Sequence, residues 1–182
     1  RLIKLIMEDE YIERVLSGDV EAFRYFLQTY KDMAFNIAVS IIKDNQYAEE
    51  IVQDSFMKAF DGLKSFNRTA KFKSWFYRII VNESFQRLKK LKKEFKVLDN
   101  SELYKEENIE SNLDIKSDKL EQIEKTMKSL NSNERLAINL FYLEEYSLKE
   151  IVNITNWKLV QTKVILHRAR KKIRFQIEST KQ

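Results

Sequence analysis

The sequence predicts an all-α protein, with two small helical domains joined by a polar, acidic linker. Its 182 residues are enough for one ordinary domain or two small ones, and 43% of them are hydrophobic, which allows a packed core. Only 2 glycines and no prolines are present, whereas sheet-rich folds need many tight turns built from these residues. Apolar side chains instead recur at every third or fourth position in several long segments, which is the spacing of amphipathic helices.

The composition also excludes several kinds of functional site. The chain has no cysteine and a single histidine, His167, so we expect no disulfide framework, no thiolate or histidine metal site and no histidine-based triad. Gly18 and Gly62 stand alone, which excludes a glycine-rich nucleotide-binding loop. No apolar run reaches transmembrane length, and residues 1–7 do not form a signal peptide. We therefore expect a soluble, intracellular protein.

Helical periodicity predicts three helices in the N-terminal half. The first carries its apolar side chains over residues 23–41, with Asp19 as a cap before it. The second spans residues 46–60, and Gly62 is expected to take the left-handed conformation that often follows a helix. A third long helix is predicted over residues 72–93.

The C-terminal half begins with a polar segment that has no helical period. Residues 95–117 are predicted to be a linker because Asn, Ser, Glu and Asp dominate them. A helix follows over residues 118–130. Two capping boxes, at 131–134 and 147–150, each pair a polar N-cap residue with a glutamate three positions later and predict further helix starts. The last helix is predicted over residues 158–177.

Charge is distributed in four alternating segments. Residues 8–54 hold 11 acidic and 4 basic side chains, and residues 99–124 hold 9 acidic and 3 basic ones. Residues 64–93 hold 10 basic side chains and one acid, and residues 158–174 hold 7 basic side chains and no acid. Basic segments of this density are typical of proteins that bind nucleic acid. The alternative is that these helix faces are simply solvated.

Residues 147–174 have the plan of a helix-turn-helix: a short capped helix, a brief turn and a basic helix. Ile151 and Ile154 are expected to face Trp157 and the buried side of the last helix. The side chains left for the groove side or its edge are Lys158, Gln161, Lys163, Val164, His167 and Arg168. The side chains expected to hold backbone phosphates are Arg170, Lys171, Lys172 and Arg174. The alternative is an ordinary helical hairpin with a charged outer face.

Aromatic and basic residues are interleaved over residues 65–78. Exposed rings can stack on unpaired bases, at about 1–3 kcal/mol per base, while cations follow the phosphates. The alternative is that the rings belong to the helix core, and the four-residue spacing of Phe72 and Phe76 favours the core for these two. The better candidates for base contact are the loop residues Asn67, Arg68, Thr69 and Lys71.

Three segments resemble parts of bacterial sigma factors. Residues 47–60 resemble the helix that docks on the RNA polymerase core, residues 72–82 resemble the promoter-melting helix, and residues 148–174 resemble the reader of the upstream promoter element. The first two segments form one block and the third forms another. Two blocks in this order, joined by a short polar linker, are similar to the extracytoplasmic-function (ECF) group of the sigma-70 family. The resemblance extends from about Glu10 to Arg174.

That group keeps only sigma domains 2 and 4. The resemblance therefore implies sigma domain 2 over residues 1–94, a linker over residues 95–117 and sigma domain 4 over residues 118–182. It implies a transcription initiation factor that binds core RNA polymerase through its clamp coiled coil and flap, recognises the −10 and −35 elements of promoter DNA and promotes strand opening. Such a factor is cytoplasmic, has no membrane insertion, no catalysis of its own and no cofactor, and is commonly regulated by an anti-sigma factor. The acidic stretch 99–124 would thread the polymerase channel that later carries RNA.

The resemblance also implies roles for single residues. The clamp would be contacted by an acidic face around an exposed aromatic ring, formed by Glu49, Glu50, Gln53, Asp54 and Phe56. A flipped base of the −10 element would be held by Asn67, Arg68, Thr69 and Lys71. The opened promoter would lie along Trp75, Arg78, Asn82 and Lys89. The −35 element would be contacted by Lys158, Gln161, Lys163, Val164, His167, Arg168, Arg170 and Lys171.

Some positions depart from the pattern of the group. The melting loop usually has glycine and an acid where this chain has Arg68 and Thr69. The turn before the recognition helix usually has glycine at the position of Asn156. Val164 replaces a small polar residue and offers only apolar contact, for example to a thymine methyl group. The promoter sequence therefore does not follow from the resemblance.

Taken without the resemblance, the residues leave two other functions open. A DNA-binding repressor or activator would use the same helix-turn-helix and would need no polymerase-docking face. A helical enzyme or metal protein would use Glu49, Glu50 and Asp54 as ligands, although a solvated acidic helix face is the simpler interpretation of these three.

Overall fold

The computed structural model describes residues 2–98 and 126–179, and the regular structure within these ranges is entirely helical. The chain divides into two compact units, Arg1–Arg87 and Leu88–Gln182. The predicted all-α class is confirmed. Within the described ranges, no helix is both long and apolar enough to cross a membrane.

The first unit contains three complete helices, two 3₁₀ turns and the first part of a fourth helix. In chain order these elements are α1 (Leu2–Leu16), a 3₁₀ turn (Val20–Phe23), α2 (Arg24–Ile42), α3 (Asn45–Gly62), a second 3₁₀ turn (Leu63–Ser65) and α4 (Phe72–Leu98). The sequence analysis did not predict α1. Acidic residues interrupt its apolar pattern, and one of them, Glu8, is buried and accepts a hydrogen bond from the Tyr30 hydroxyl.

An aromatic cluster forms the core of the first unit. Phe26 of α2 packs against Phe72 of α4, with ring centroids 4.2 Å apart, and Phe56 of α3 lies 4.5 Å from Phe76. All four rings are buried. Burying each contributes about 1.5–3 kcal/mol. The prediction that Phe72 and Phe76 belong to the core is thereby confirmed.

Side-chain caps fix the helix ends of this unit. Asp19 accepts a hydrogen bond from the backbone N–H of Ala22 at 3.3 Å, as predicted for a cap, and forms an ion pair with Arg14 at 2.7 Å. The hydrogen bonds from Arg14 hold the pKa of the Asp19 carboxyl below its usual value. Asp44 caps α3 by accepting from the backbone N–H of Tyr47 at 2.8 Å.

The left-handed conformation predicted for Gly62 is wrong. Its φ is −77° because α3 continues directly into the second 3₁₀ turn. A Cβ atom added here would lie 3.3 Å from Cζ2 of Trp75. Glycine is therefore favoured at this position by the close approach of an indole ring, and not by backbone conformation.

The second unit contains the helix-turn-helix segment. Its described elements are helical residues 126–129, α5 (Ser132–Ile138), a π-helical turn (Asn139–Leu143), α6 (Leu148–Thr155) and α7 (Leu159–Ser179). Both predicted capping boxes are present, with Asn131 and Glu134 starting α5 and Ser147 and Glu150 starting α6.

The core of the second unit contains a buried charge. Leu130 and Ala137 pack with Leu166 of α7. Beside them, the buried Glu134 carboxylate accepts hydrogen bonds from the backbone N–H of Asn131 at 2.9 Å and from Lys172 Nζ at 2.8 Å. These bonds fasten α7 to the start of α5 and offset the cost of burying the carboxylate.

Helix α4 extends to Leu98, beyond the predicted end at residue 93. Its last turns contain Lys, Leu, Glu and Phe and no glycine or proline, so nothing in them breaks the helix. The predicted linker, 95–117, therefore begins inside α4. Residues 99–125 lie outside the described residues. These 27 positions include most of the predicted linker and most of the helix predicted over residues 118–130. The predicted domain boundaries remain predictions.

Asn156 provides a test of backbone strain in the helix-turn-helix. It ends α6 in the left-handed conformation, with φ of 58°. We expect Asn156→Gly to retain full stability, because glycine has no Cβ atom to clash with the backbone in this conformation. Asn156→Ala should lower the free energy of unfolding by about 1 kcal/mol, because the alanine methyl group clashes there and alanine tolerates the left-handed conformation less well than asparagine. Urea denaturation followed by circular dichroism measures the difference. Asn133→Ala, at an exposed right-handed position of α5, is the control and should be nearly neutral. Equal stability of the two Asn156 variants would contradict the account.

Candidate nucleic-acid and protein interfaces

The exposed side of α4 carries the residues predicted to follow the opened promoter strand. Arg78, Asn82 and Lys89 are exposed and lie along one line of the helix, at spacings of four and seven residues. Phe76 and Ile80 on the opposite side are fully buried. Burial of one side therefore orients a polar, cationic ridge towards solvent.

Trp75 lies at the edge of this ridge and is half-buried. Its ring packs against Phe66, with centroids 4.9 Å apart, and covers Gly62. Only part of the indole is therefore available to the opened promoter that is predicted to lie along it.

The loop between the second 3₁₀ turn and α4 holds its four predicted base-contacting residues in exposed positions. Asn67 Oδ1 accepts hydrogen bonds from the backbone N–H and the hydroxyl of Thr69, at 3.1 and 2.8 Å, which forms an Asx turn. Arg68 has a φ of 58° and pairs with Glu13 of α1. Lys71 is exposed, and its carbonyl accepts from the backbone N–H of Ser74 and Trp75 at the start of α4. The loop is thus ordered by its own side chains and by α1.

A pocket of about 260 Å³ opens between this loop and α1. Its walls combine the carboxylates of Glu8 and Asp9 with the cations of Arg68 and Lys71. The remaining walls are Ile12, Phe66, Thr69, Ala70 and Phe72. Donors and acceptors around a partly apolar surface suit a small, planar, polar ligand such as an unpaired base.

Helix α3 presents the predicted docking face. Glu49, Glu50, Gln53 and Asp54 are all exposed. Glu50 pairs with Arg87 of α4 at 2.8 Å, and the Arg87 guanidinium also covers the Tyr47 ring at 4.5 Å. Within the described part of the chain, Glu49 and Asp54 form no ion pair, so their charges are available to a basic partner.

The prediction that Phe56 is an exposed ring on this face is wrong. Phe56 is only 5% exposed, and its ring packs against Phe76 and Phe23. The exposed apolar side chain on the acidic side of α3 is Met57, which is 66% exposed. Met57 lies three residues from Asp54 and is therefore its neighbour on the helix surface.

The helix-turn-helix segment has the buried side that the sequence predicts. Ile151 and Ile154 of α6 are buried, as are Thr162 and Leu166 of α7, and Trp157 packs against the same core. The six residues predicted for the groove side are all exposed: Lys158, Gln161, Lys163, Val164, His167 and Arg168. The Gln161 side-chain oxygen accepts from the backbone N–H of Lys158 at 3.4 Å, which leaves the NH₂ group of the amide to the groove.

Two of the four cations predicted to hold phosphates are used within the second unit. Arg170 donates to the Tyr142 hydroxyl at 2.8 Å and lies 5.3 Å from the centroid of the Phe141 ring. Lys172 is bound to Glu134, as described above. Lys171 and Arg174 are exposed and form no ion pair within the described residues.

The structure adds three residues to these faces. Gln86 lies on the exposed line of α4, Met57 on the acidic face of α3, and Val160 on the outer face of α7. Helical spacing from Asn82, Asp54 and Val164 could have found them. In the residues that the structure describes, no three His, Cys, Asp or Glu side chains are grouped so as to hold a metal ion.

Comparison with known proteins identifies the family. The model of sigma-70 region 2 matches residues 26–94, and that of sigma-70 region 4 matches residues 120–173. An ECF RNA polymerase sigma-E factor of Salmonella typhimurium is 30% identical over an alignment of 173 positions, which covers 89% of this chain and 90% of the relative. The chain belongs to the ECF group of the sigma-70 family.

Other relatives and solved structures agree with this assignment. The ECF sigma factor SigW of Bacillus subtilis is 28% identical over an alignment of 184 positions, which covers 94% of this chain and 97% of SigW. The sigma factor RpoE of Bartonella quintana, solved in complex with the anti-sigma factor NepR, has the same fold with a TM-score of 0.72 and 24% identity, over 86% of this chain and 96% of that one. CnrH, solved with the cytosolic domain of CnrY, gives a TM-score of 0.66 at 18% identity, over 95% and 98%.

The positions of Phe56 and Met57 give opposite expectations for two neighbouring substitutions. Phe56→Ala should lower the free energy of unfolding by about 3–5 kcal/mol, because it empties part of the aromatic core. Met57→Ala should leave the stability nearly unchanged and weaken binding to core RNA polymerase about tenfold, because it removes the apolar centre of the docking face. Thermal denaturation and competition binding to purified core enzyme measure the two effects.

Met7→Ala, which truncates another exposed methionine, is the matched control and should bind core enzyme like the wild type. Normal core binding by the Met57 variant would exclude Met57 from the docking face. A fully stable Phe56 variant would contradict the packing of the first unit.

Proposed function

We propose that this sigma factor uses three separate faces to direct core RNA polymerase to promoters: the acidic side of α3 for the polymerase, the cationic side of α4 with its preceding loop for the −10 element, and the outer side of α7 for the −35 element. The observation that carries this proposal is the division of the first unit. Its aromatic core leaves carboxylates exposed on α3 and leaves cations exposed on α4 and the loop before it, at Arg68, Lys71 and Arg78. Polymerase and DNA can therefore be bound at the same time.

The docking face suits a basic partner helix. Gln53 and Asp54 are neighbours of Met57 on the helix surface, and Glu49 lies one turn beyond them, so that an apolar contact lies beside polar and acidic side chains. Apolar centres with charged rims are typical of protein interfaces, where the centre supplies most of the binding energy and the charges supply orientation. Glu50 contributes less charge because Arg87 already neutralises it.

Strand opening would use binding energy to capture bases that have already left the stack. An unpaired base would enter the pocket beside Arg68 and Lys71, where Thr69 also lines it. Asn67 would act through the turn that it forms with Thr69. The following strand would run along Arg78, Asn82, Gln86 and Lys89, with its phosphates near the cations. Single strands are flexible enough to follow such a ridge, whereas a paired duplex would keep its bases inside.

The two DNA-binding units are proposed to be connected by the acidic stretch 99–124, whose charge suits a positively charged polymerase channel. The factor would act in the cytoplasm, where RNA polymerase acts, and would itself catalyse no reaction. The two solved structures of the same fold are complexes with anti-sigma factor NepR and with the cytosolic domain of CnrY. We propose that a comparable regulator binds this chain.

Transcription with purified core RNA polymerase tests the proposal as a whole. On a pool of genomic fragments, the chain should produce transcripts with discrete start sites that core enzyme alone does not produce. The start sites are mapped by sequencing the 5′ ends of the RNA. A pool that yields no chain-dependent start site would overturn the proposed function.

A charge reversal on α4 tests the role of that helix. Lys89→Glu should leave core binding unchanged and reduce strand opening at least tenfold, because it places a carboxylate where a phosphate is expected. Permanganate reactivity of unpaired thymines measures the opening. Lys31→Glu on α2, also an exposed lysine, makes the same change in net charge and should open promoters normally. Equal opening by both variants would remove Lys89 from the DNA path.

A further inference from the structure

Two exposed valines occupy the centre of the outer face of α7. Val160 is 73% exposed and Val164 is 41% exposed. At about 100° per residue they lie one turn apart on the same line. This line is opposite the buried Thr162 and Leu166. A single exposed valine on a protein surface needs no explanation, but a pair at the centre of a functional face does.

Polar and cationic side chains border this valine pair. Lys163 and His167 lie on one side of it, and Gln161 and Arg168 lie on the other. Lys171 continues the line of the valines towards the end of the helix. Residues 158–174 contain no acid. A protein partner of ordinary composition would leave these charges unmatched, whereas a polyanion with apolar groups between its phosphates would match both features.

The DNA major groove has this arrangement, and the apolar group that its base edges present is the C5 methyl of thymine. Building on the proposed function, we infer that Val160 and Val164 together read thymine methyl groups in the −35 element. The two side chains are about 6 Å apart along the helix axis. Successive nucleotides of one strand are about 3.4 Å apart, so the two methyls belong to thymines within about two base steps of each other.

Each of the two valines is thereby assigned one thymine methyl group of the −35 element. The valines select by shape and burial, and make no hydrogen bond. Removing one methyl group should therefore reduce affinity only about fourfold, and removing both about fifteenfold, as expected from the burial of one methyl-sized group each. The neighbouring Gln161, Lys163 and Arg168 would account for the remaining base and phosphate contacts.

Substitution of deoxyuridine for thymidine tests the inference, because it removes the methyl and leaves every hydrogen-bonding group in place. Holoenzyme assembled from core RNA polymerase and the full chain first selects binding sites from a duplex library with a randomised upstream element. Each thymine of the selected element, on both strands, is then replaced singly by uracil. The affinity of wild-type holoenzyme and of holoenzyme with Val160→Ala or Val164→Ala is measured for every duplex.

We expect one thymine whose replacement weakens wild-type holoenzyme but not the Val160 variant, and a second thymine within two steps that behaves likewise towards Val164. Val20→Ala, which truncates a 61% exposed valine of the first unit, is the control and should respond to uracil like the wild type. An element without methyl-dependent thymines, or methyl effects that persist in both α7 variants, would overturn the inference and leave the proposed function intact. A library from which holoenzyme selects no site would instead contradict the proposed function.

Discussion

Burial of the aromatic side of α4 against α2 and α3 determines which residues of the first unit remain available to partners. Phe72 and Phe76 occupy the same core as Phe26 and Phe56, so α4 cannot rotate about its axis without exposing aromatic rings. Fixing the buried side also fixes the opposite side, which carries Arg78 and the other polar residues along α4. Hydrophobic packing makes no contact with DNA itself, but it therefore determines which side chains of α4 lie on the proposed DNA-binding surface.

Ion pairs connect α3, which carries the proposed docking face, to α4. Glu50 pairs with Arg87, and Lys58 pairs with Glu83 at 2.6 Å. Exposed pairs of this kind contribute little to stability. Their arrangement nevertheless gives α3 and α4 two polar contacts outside the aromatic core. A polymerase side chain that contacts Glu50 would compete with Arg87 for the Glu50 carboxylate. Docking and the position of α4 would therefore both depend on Glu50.

Helical periodicity predicted the described helices of both units apart from α1, together with both capping boxes and the buried side of the helix-turn-helix. It failed where packing overrides pattern. Glu8 makes α1 difficult to predict, because the sequence does not show whether a carboxylate is buried or solvated. The structure shows that Glu8 is buried and bonded to Tyr30. The family resemblance implied that Phe56 is an exposed contact residue, and helical spacing could not correct this because Phe56 lies near the boundary between the buried and exposed sides of α3. The role of Gly62 depends on Trp75, which is distant in sequence and adjacent in space.

Two left-handed residues show how the same backbone can carry different chemistry. Arg68 and Asn156 adopt φ values of 58° where the ECF group usually has glycine. Strain at such a position costs about 1–2 kcal/mol. Arg68 is also paired with Glu13, although an exposed ion pair contributes little to stability. In exchange, the loop gains a guanidinium beside the pocket that glycine could not supply. The same backbone conformation is thus compatible with different side chains at the proposed DNA interface, so membership of the ECF group does not specify the promoter sequence.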